Sequence, residues 1–205
     1  MKTLFLDGSR PDTLDIAADL LRRGELVAFP TDTVYGLGAH SQLPQAIEQI
    51  YVVKGRREAK GIPLLLADMD SLTLVVTEVP EVARRLARAF WPGGLTLVLP
   101  KKPTVPAAVS REPTVAVRIP DHPLPLALIR KVGVPLATSS ANRSGEPSLT
   151  TAQEVRAVFD GRIAAIIDGG ETPGGVASTI VDCTTQPPRI LRVGAIPVEE
   201  ILPYL

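Results

Sequence analysis

The stretch Phe29-Pro-Thr-Asp-Thr-Val-Tyr-Gly-Leu-Gly38 closes an apolar run with hydroxyls, one acid and two glycines. Residues 26–29 form a short strand-like segment, and Pro30 removes an amide donor and holds Phe29 out of the helical region, so a sheet strand is expected to stop there. Thr31, Asp32 and Thr33 then offer oxygens. Gly36 and Gly38 permit backbone conformations closed to residues with a Cβ, so a small ligand has room to approach. The same residue types also build ordinary tight turns. Turn and ligand site both stay open on this stretch alone.

On either side, apolar segments alternate with helical periodicity. Residues 2–6 are expected as a strand. Residues 12–23 make a helix with Leu14, Ala17, Leu20 and Leu21 on one stripe, and Gly24 closes it. Downstream, helices are expected over residues 44–53, 78–90 and from Pro123 to about residue 131, and strands over 63–67, 95–99, 114–118 and 134–137. Thr151 and Glu154 match a capping box for a helix to Phe159. Strands at 163–167, 178–182 and 189–192 and a terminal helical turn complete the chain. Residues 101–113, with three prolines, read as a loop able to fold over a site. Because the elements interleave without strict alternation, the expected fold is α/β, one domain over residues 1–205 around a twisted mixed sheet.

The bulk numbers exclude several classes. A chain of 205 residues with 45% hydrophobic and 21% charged residues can bury a full core. Its formal charge of zero argues against a coat of positive charge for indiscriminate nucleic-acid binding. With Cys183 as the single cysteine, no internal disulfide or cysteine-based zinc site can form, which suits a reducing cytoplasm. No segment approaches the ~20 apolar residues of a membrane helix, and the first residues are too polar for a signal peptide, so a cytoplasmic protein without membrane contact is expected.

Histidine and cysteine chemistry has little support. His122, between Asp121 and Pro123, reads as a surface or capping residue, and the common phosphate-loop and nucleophile-elbow patterns are absent. What remains is cations and hydroxyls at predicted strand or helix ends: Lys54, Arg56, Arg118 and Arg192 with Thr33, Ser140, Asn142 and Ser178. Such a set suits an anionic ligand, because phosphoryl and nucleotidyl transfer rest on positioning and charge neutralisation more than on a protein nucleophile. Singly, each has a plain structural reading. Lys54 and Arg56 make a solvated basic turn, Arg118 an ion pair with Asp121, and Ser140 and Asn142 turn or cap residues.

Seven ordered motifs carry a resemblance over nearly the whole chain: Pro30-Thr-Asp-Thr-Val-Tyr-Gly-Leu-Gly38, Lys54-Gly-Arg56, Trp91-Pro-Gly-Gly-Leu-Thr96, Val115-Ala-Val-Arg-Ile-Pro-Asp-His-Pro123, Ser140-Ala-Asn-Arg-Ser-Gly145, Ser178-Thr-Ile-Val-Asp182 and Ile190-Leu-Arg-Val-Gly-Ala-Ile196. Together they resemble the YrdC-type threonylcarbamoyl-AMP synthases. The resemblance implies a YrdC-like fold and a nucleotidyltransferase that joins L-threonine, bicarbonate and ATP into threonylcarbamoyl-AMP and pyrophosphate, for threonylcarbamoyladenosine modification of tRNA through downstream proteins. It implies a threonine site of Thr33, Arg118, Thr138 and Ser178, with Arg118 as a planar fork for the carboxylate. It implies an ATP site of Lys54, Arg56, Thr114, Ser140, Asn142 and Arg192, in which Lys54 and Arg56 are the catalytic cations, and Mg2+ carried by the ATP phosphates without a carboxylate cage. Many members have proline where Arg57 stands and histidine where Ala67 stands, which puts a substrate contact in question. Two rival readings are an RNA-binding module using the same basic surface and a paralogue with an altered amino-acid pocket. The low aromatic content, 4%, weighs against the first.

Overall fold

In the computed structural model, which describes residues 2–55 and 61–205, the organising stretch is a hairpin rather than a loop. β2 (Val27–Phe29) stops at Pro30 as expected, and the chain returns antiparallel as β3 (Gly36–His40). The intervening turn is built on Thr31, whose Oγ1 accepts from the Thr33 and Val34 amides at 3.2 and 3.3 Å and donates to the Val34 carbonyl at 2.7 Å. The two glycines serve packing, not unusual backbone angles, since neither lies at positive φ. A Cβ on Gly38 would sit 2.6 Å from Phe29 Cε1, and one on Gly36 2.8 Å from Thr138 Cγ2. The Phe29 ring therefore lies across a strand that has no side chains at those positions.

The other strands are β1 (Leu4–Asp7), β4 (Leu64–Leu65), β5 (Leu95–Pro100), β6 (Thr114–Arg118), β7 (Leu136–Ser140), β8 (Ala165–Asp168), β9 (Thr179–Asp182) and β10 (Arg189–Arg192). All ten form one mixed sheet in the order β1-β8-β2-β3-β7-β4-β6-β5-β9-β10, the α/β architecture the sequence called for. The helices are α1 (Thr13–Arg22), α2 (Pro44–Lys54), α3 (Leu72–Val75), α4 (Glu81–Phe90), α5 (Pro123–Val132), α6 (Ala152–Phe159) and α7 (Val198–Ile201). The short α3 was not anticipated. β7 also runs three residues further than expected, because β3 pairs with it along its whole length, Gly36 opposite Ser140 through His40 opposite Leu136. Hydroxyl residues that look like loop in sequence are held in the ladder by that partner.

Side chains alternate between faces along each strand, and this places the site. One face carries the main core: Leu95, Leu97 and Leu99 of β5, Val115 and Val117 of β6 and Leu37 and Ala39 of β3 meet α2, α4 and α6. On the opposite face a smaller core joins α1 and α5 to Val27, Phe29, Leu136, Ala165 and Ile167. That second layer covers only part of the sheet.

The local signals at the helix ends are met. Thr151 and Glu154 form a reciprocal capping box on α6, Gly133 ends α5 at φ 88°, and His122 caps α5 by accepting the Leu124 amide at Nδ1. Residues 101–113 form the expected irregular segment.

Candidate active site

Beyond the edge of α1 and α5, the second face of the sheet is the floor of a cavity of about 570 Å³. Its floor residues are the alternates of the core residues: Thr96 and Val98 of β5, Thr114, Ala116 and Arg118 of β6, Thr138 and Ser140 of β7, and Ser178 and Ile180. The turn at Thr31 and Thr33 forms one wall, and Val109, Ser110 and Glu112 of the 101–113 segment border it too, as expected of a loop folded over a site. A volume of this size suits a small polar ligand. The geometry thus resolves the choice between turn and site at the organising stretch: it is a turn, and it lines the cavity.

Seven of the sequence-predicted residues, Thr33, Thr114, Arg118, Thr138, Ser140, Ser178 and Arg192, meet in this one cavity. Arg118 is 6% exposed and does not pair with Asp121. Its Nη2 donates to Asp32 Oδ1 at 2.6 Å, Nη1 to Thr33 Oγ1 at 2.9 Å and Nε to the Gly93 carbonyl at 2.9 Å. The same Asp32 oxygen accepts the Asp121 amide at 3.0 Å. Burial holds the Arg118 pKa below its ordinary value, and the neighbouring Asp32 carboxylate offsets part of that shift, so the counter-charge to the guanidinium comes from the turn. Of its five N–H groups, three are engaged in this way, leaving one on each terminal nitrogen.

On the far wall, Arg192 donates through Nε and Nη2 to the Ser178 carbonyl at 3.0 and 2.7 Å and through Nη2 to Ser178 Oγ at 3.1 Å. Ser178 Oγ also bonds Thr96 Oγ1 at 2.7 Å. A residue assigned to threonine and one assigned to nucleotide are therefore in direct contact.

Lys54 and Asn142 are placed differently. Lys54, at the end of α2, is 3% exposed and does not line the described cavity. Its ammonium donates to the carbonyls of Ser140 and Asn142, and Asn142 Nδ2 donates to the carbonyls of Arg143 and Glu146 at 2.9 and 2.6 Å. Both side chains pin the segment after β7, so the solvated basic turn expected at Lys54 is replaced by a buried anchor. Arg56 and Arg57 lie outside the described residues. Ala67 borders a separate, smaller pocket beside Trp91 and Arg130, whereas its neighbour Leu65 lines the main cavity. The departure at Ala67 is thus away from the predicted substrate residues.

Thr96 is a polar site residue that sequence reading did not single out, and Asp32, noted only as one of the oxygens of its stretch, was not foreseen as the partner of Arg118. Thr96 had a signal, a hydroxyl between Leu95 and Leu97 in a strand, which marks the side of the strand facing away from the core. Asp32 had none beyond its turn. Among the described residues no cluster of three His, Cys, Asp or Glu side chains is positioned to hold a metal, and no helix is long and apolar enough to cross a membrane.

Comparison with known proteins places the chain in a family. The family model described as telomere recombination, for Sua5, YciO and YrdC, matches residues 19–194. Curated proteins called threonylcarbamoyl-AMP synthase from Bacillus subtilis and Pyrococcus abyssi are each 49% identical over 187 residues. Those matches cover 90% and 91% of this chain but 54% and 55% of the relatives, so the chain spans about half the length of these two proteins. The solved structure of Pyrococcus abyssi Sua5 complexed with L-threonine superposes with a TM-score of 0.95 at 44% identity, covering 100% of this chain and 61% of that one. With most of its length matched by the family model and its cavity assembled from the family's motifs, the chain belongs to the Sua5/YciO/YrdC family.

Proposed function

We propose that this chain forms threonylcarbamoyl-AMP and pyrophosphate from L-threonine, bicarbonate and ATP, supplying the activated group for threonylcarbamoyladenosine in tRNA through downstream modification proteins in the cytoplasm. The observation that carries this reading is one cavity holding a buried arginine with free N–H groups on both terminal nitrogens, beside hydroxyls and a second arginine. The two curated relatives carry the corresponding name.

In this reading the threonine carboxylate takes the two remaining Arg118 N–H groups, a bidentate pairing. Its side chain lies toward Thr138 and Ser178. The amine adds to the carbon of bicarbonate-derived carbon dioxide and loses a proton, giving a carbamate. A carbamate oxygen then forms a bond to the α-phosphorus of ATP as the bond to pyrophosphate breaks. No covalent enzyme intermediate is needed, and the chain's contribution is alignment and charge. Arg192, Ser140 and Thr114 are the cavity residues for the nucleotide. Lys54 and Asn142 act on it by holding the backbone at Ser140. Mg2+ is read as arriving with the ATP phosphates and their waters.

The test is pyrophosphate release. It should require threonine and bicarbonate together, and the trapped adenylate should contain the carbamoyl carbon. Turnover that survives rigorous removal of bicarbonate and dissolved carbon dioxide, or a product identified as threonyl-AMP, overturns the reading. It would also free the threonine carboxylate from Arg118, because in that case the carboxylate itself attacks.

A further inference from the structure

The cavity's principal cation is already neutralised before any ligand arrives. Asp32 and Arg118 form a buried pair at 2.6 Å, with side-chain exposures of 15% and 7%. One Asp32 oxygen holds Arg118 Nη2 and the Asp121 amide together, so the acid joins the turn after β2 to the chain just past β6. Thr33 serves the same end. Thr31 Oγ1 gives its proton to the Val34 carbonyl, which makes Thr33 the donor in the 3.0 Å contact between the two hydroxyls. Thr33 Oγ1 is then left with a lone pair, and Arg118 Nη1 takes it at 2.9 Å. The guanidinium is clamped from two sides by consecutive residues.

We propose that Asp32 is a positioning residue that both orients Arg118 and limits the affinity of this cavity for a carboxylate ligand. The inference rests on the reading of the cavity as a threonine site. An incoming carboxylate meets a neutral ion pair rather than a bare cation, and it takes N–H groups of a guanidinium whose other side already faces an anion. Repulsion between two carboxylates sharing one guanidinium offsets part of the attraction, and at low effective dielectric this is a large effect over a few ångströms. Binding is thereby made specific in geometry but weak in strength. That suits a site which must release a product that still carries the threonine carboxylate, unchanged by the reaction.

Asparagine at this position keeps an oxygen that accepts from both Arg118 and the Asp121 amide while removing the charge. The experiment measures equilibrium binding of L-threonine, and of threoninamide as a probe without the carboxylate, to the wild-type chain and to Asp32→Asn, Asp32→Ser and Asp32→Glu. Asp32→Asn should bind threonine ~10-fold more tightly, while threoninamide binding stays within ~2-fold, as expected from removing a nearby like charge. Asp32→Glu, which keeps the charge, should stay within ~3-fold of wild type for threonine. A purely structural acid predicts instead that both probes weaken together in the neutral variants. Threonine affinity unchanged or lowered in folded Asp32→Asn and Asp32→Ser overturns the proposal, and so does loss of the folded state in both. A wild-type chain that binds no threonine fails the functional reading instead, and the two failures are told apart by that first measurement.

Discussion

The two ends of the second sheet face are built on the same alternation and put it to opposite uses. Under α1 and α5, the residues of β2 that point to this face are Val27 and Phe29, packed against Ala17, Leu21 and Leu128. Beyond the helices, the equivalent positions on β5, β6 and β7 include Thr96, Thr114, Arg118, Thr138 and Ser140 beside Val98 and Ala116. The first face carries the main core along both ends. Thus the strands are specified by one continuous core, and the polar alternate residues gather where no helix covers the other face. Phe29 and Thr138 mark the border: each fills the space above one of the side-chain-free positions of β3.

The largest expected effect lies in the uncovered half, at Arg118. Lysine there can keep the ion pair with Asp32 but cannot also reach Thr33 Oγ1 and the Gly93 carbonyl, since one ammonium replaces a three-nitrogen fork. A lysine also cannot offer the bidentate pair of N–H groups to the carboxylate, and each charge-assisted hydrogen bond lost costs about 1.5–3 kcal/mol, so threonine-dependent turnover in Arg118→Lys should fall ~100-fold while circular dichroism shows a folded chain. Near wild-type threonine dependence would show that charge alone suffices and that the fork is not used.

Lys54→Ala comes next and separates anchoring from direct ligand contact. It removes the donor to two carbonyls, Ser140 and Asn142, at the end of β7. The Ser140 carbonyl keeps the Asn142 amide at 3.0 Å, but the Asn142 carbonyl loses its lysine donor, and a buried acceptor left unsatisfied costs roughly 1–3 kcal/mol, so the variant should lose thermal stability together with ATP affinity. A drop in ATP affinity with an unshifted melting temperature would place the ammonium on the nucleotide and away from the carbonyls.

These two residues also show how far the sequence reaches. Arg118 was legible because a strand alternating Thr114-Val-Ala-Val-Arg118 must put its arginine on the face opposite its valines. What that arginine pairs with was not legible: Asp121 is three residues away, but Asp32 is brought in by the hairpin, and only strand order determines that. Lys54 looked like part of a solvated turn because Gly55, Arg56 and Arg57 follow it, yet α2 delivers its last residue beneath the segment after β7. The edges of elements failed for a related reason. Residues 138–140 have poor strand character on their own, and their place in the ladder comes from β3, which itself reads as a glycine turn. Local signals that need no distant partner, the capping box on α6, the stop at Pro30 and the glycine end of α5, transferred directly.

Two glycine substitutions sharpen the border between the halves. Gly38→Ala places a methyl against the Phe29 ring on the covered side, an overpacking expected to cost about 1–3 kcal/mol, which denaturant unfolding would register, with threonine binding little changed. Gly36→Ala presses instead on the Thr138 methyl, so it should weaken threonine binding as well as stability. Equal effects of the two variants on both measurements would mean that β3 responds as a unit and that the border has no functional meaning.

The smallest effect is expected at the exposed rim. Arg192 is an exposed residue on the edge strand β10 that donates to Ser178 at the cavity wall, so its removal takes no side chain out of the core. Arg192→Ala should leave the melting temperature within a few degrees and weaken ATP binding about tenfold, the equivalent of ~1.4 kcal/mol and in the range of one charge-assisted hydrogen bond. Because Ser178 also bonds Thr96, a second outcome is informative. If threonine affinity falls more than ATP affinity, Arg192 works by holding Ser178 toward the amino acid, and the division of the cavity into a threonine wall and a nucleotide wall has to be redrawn at this contact.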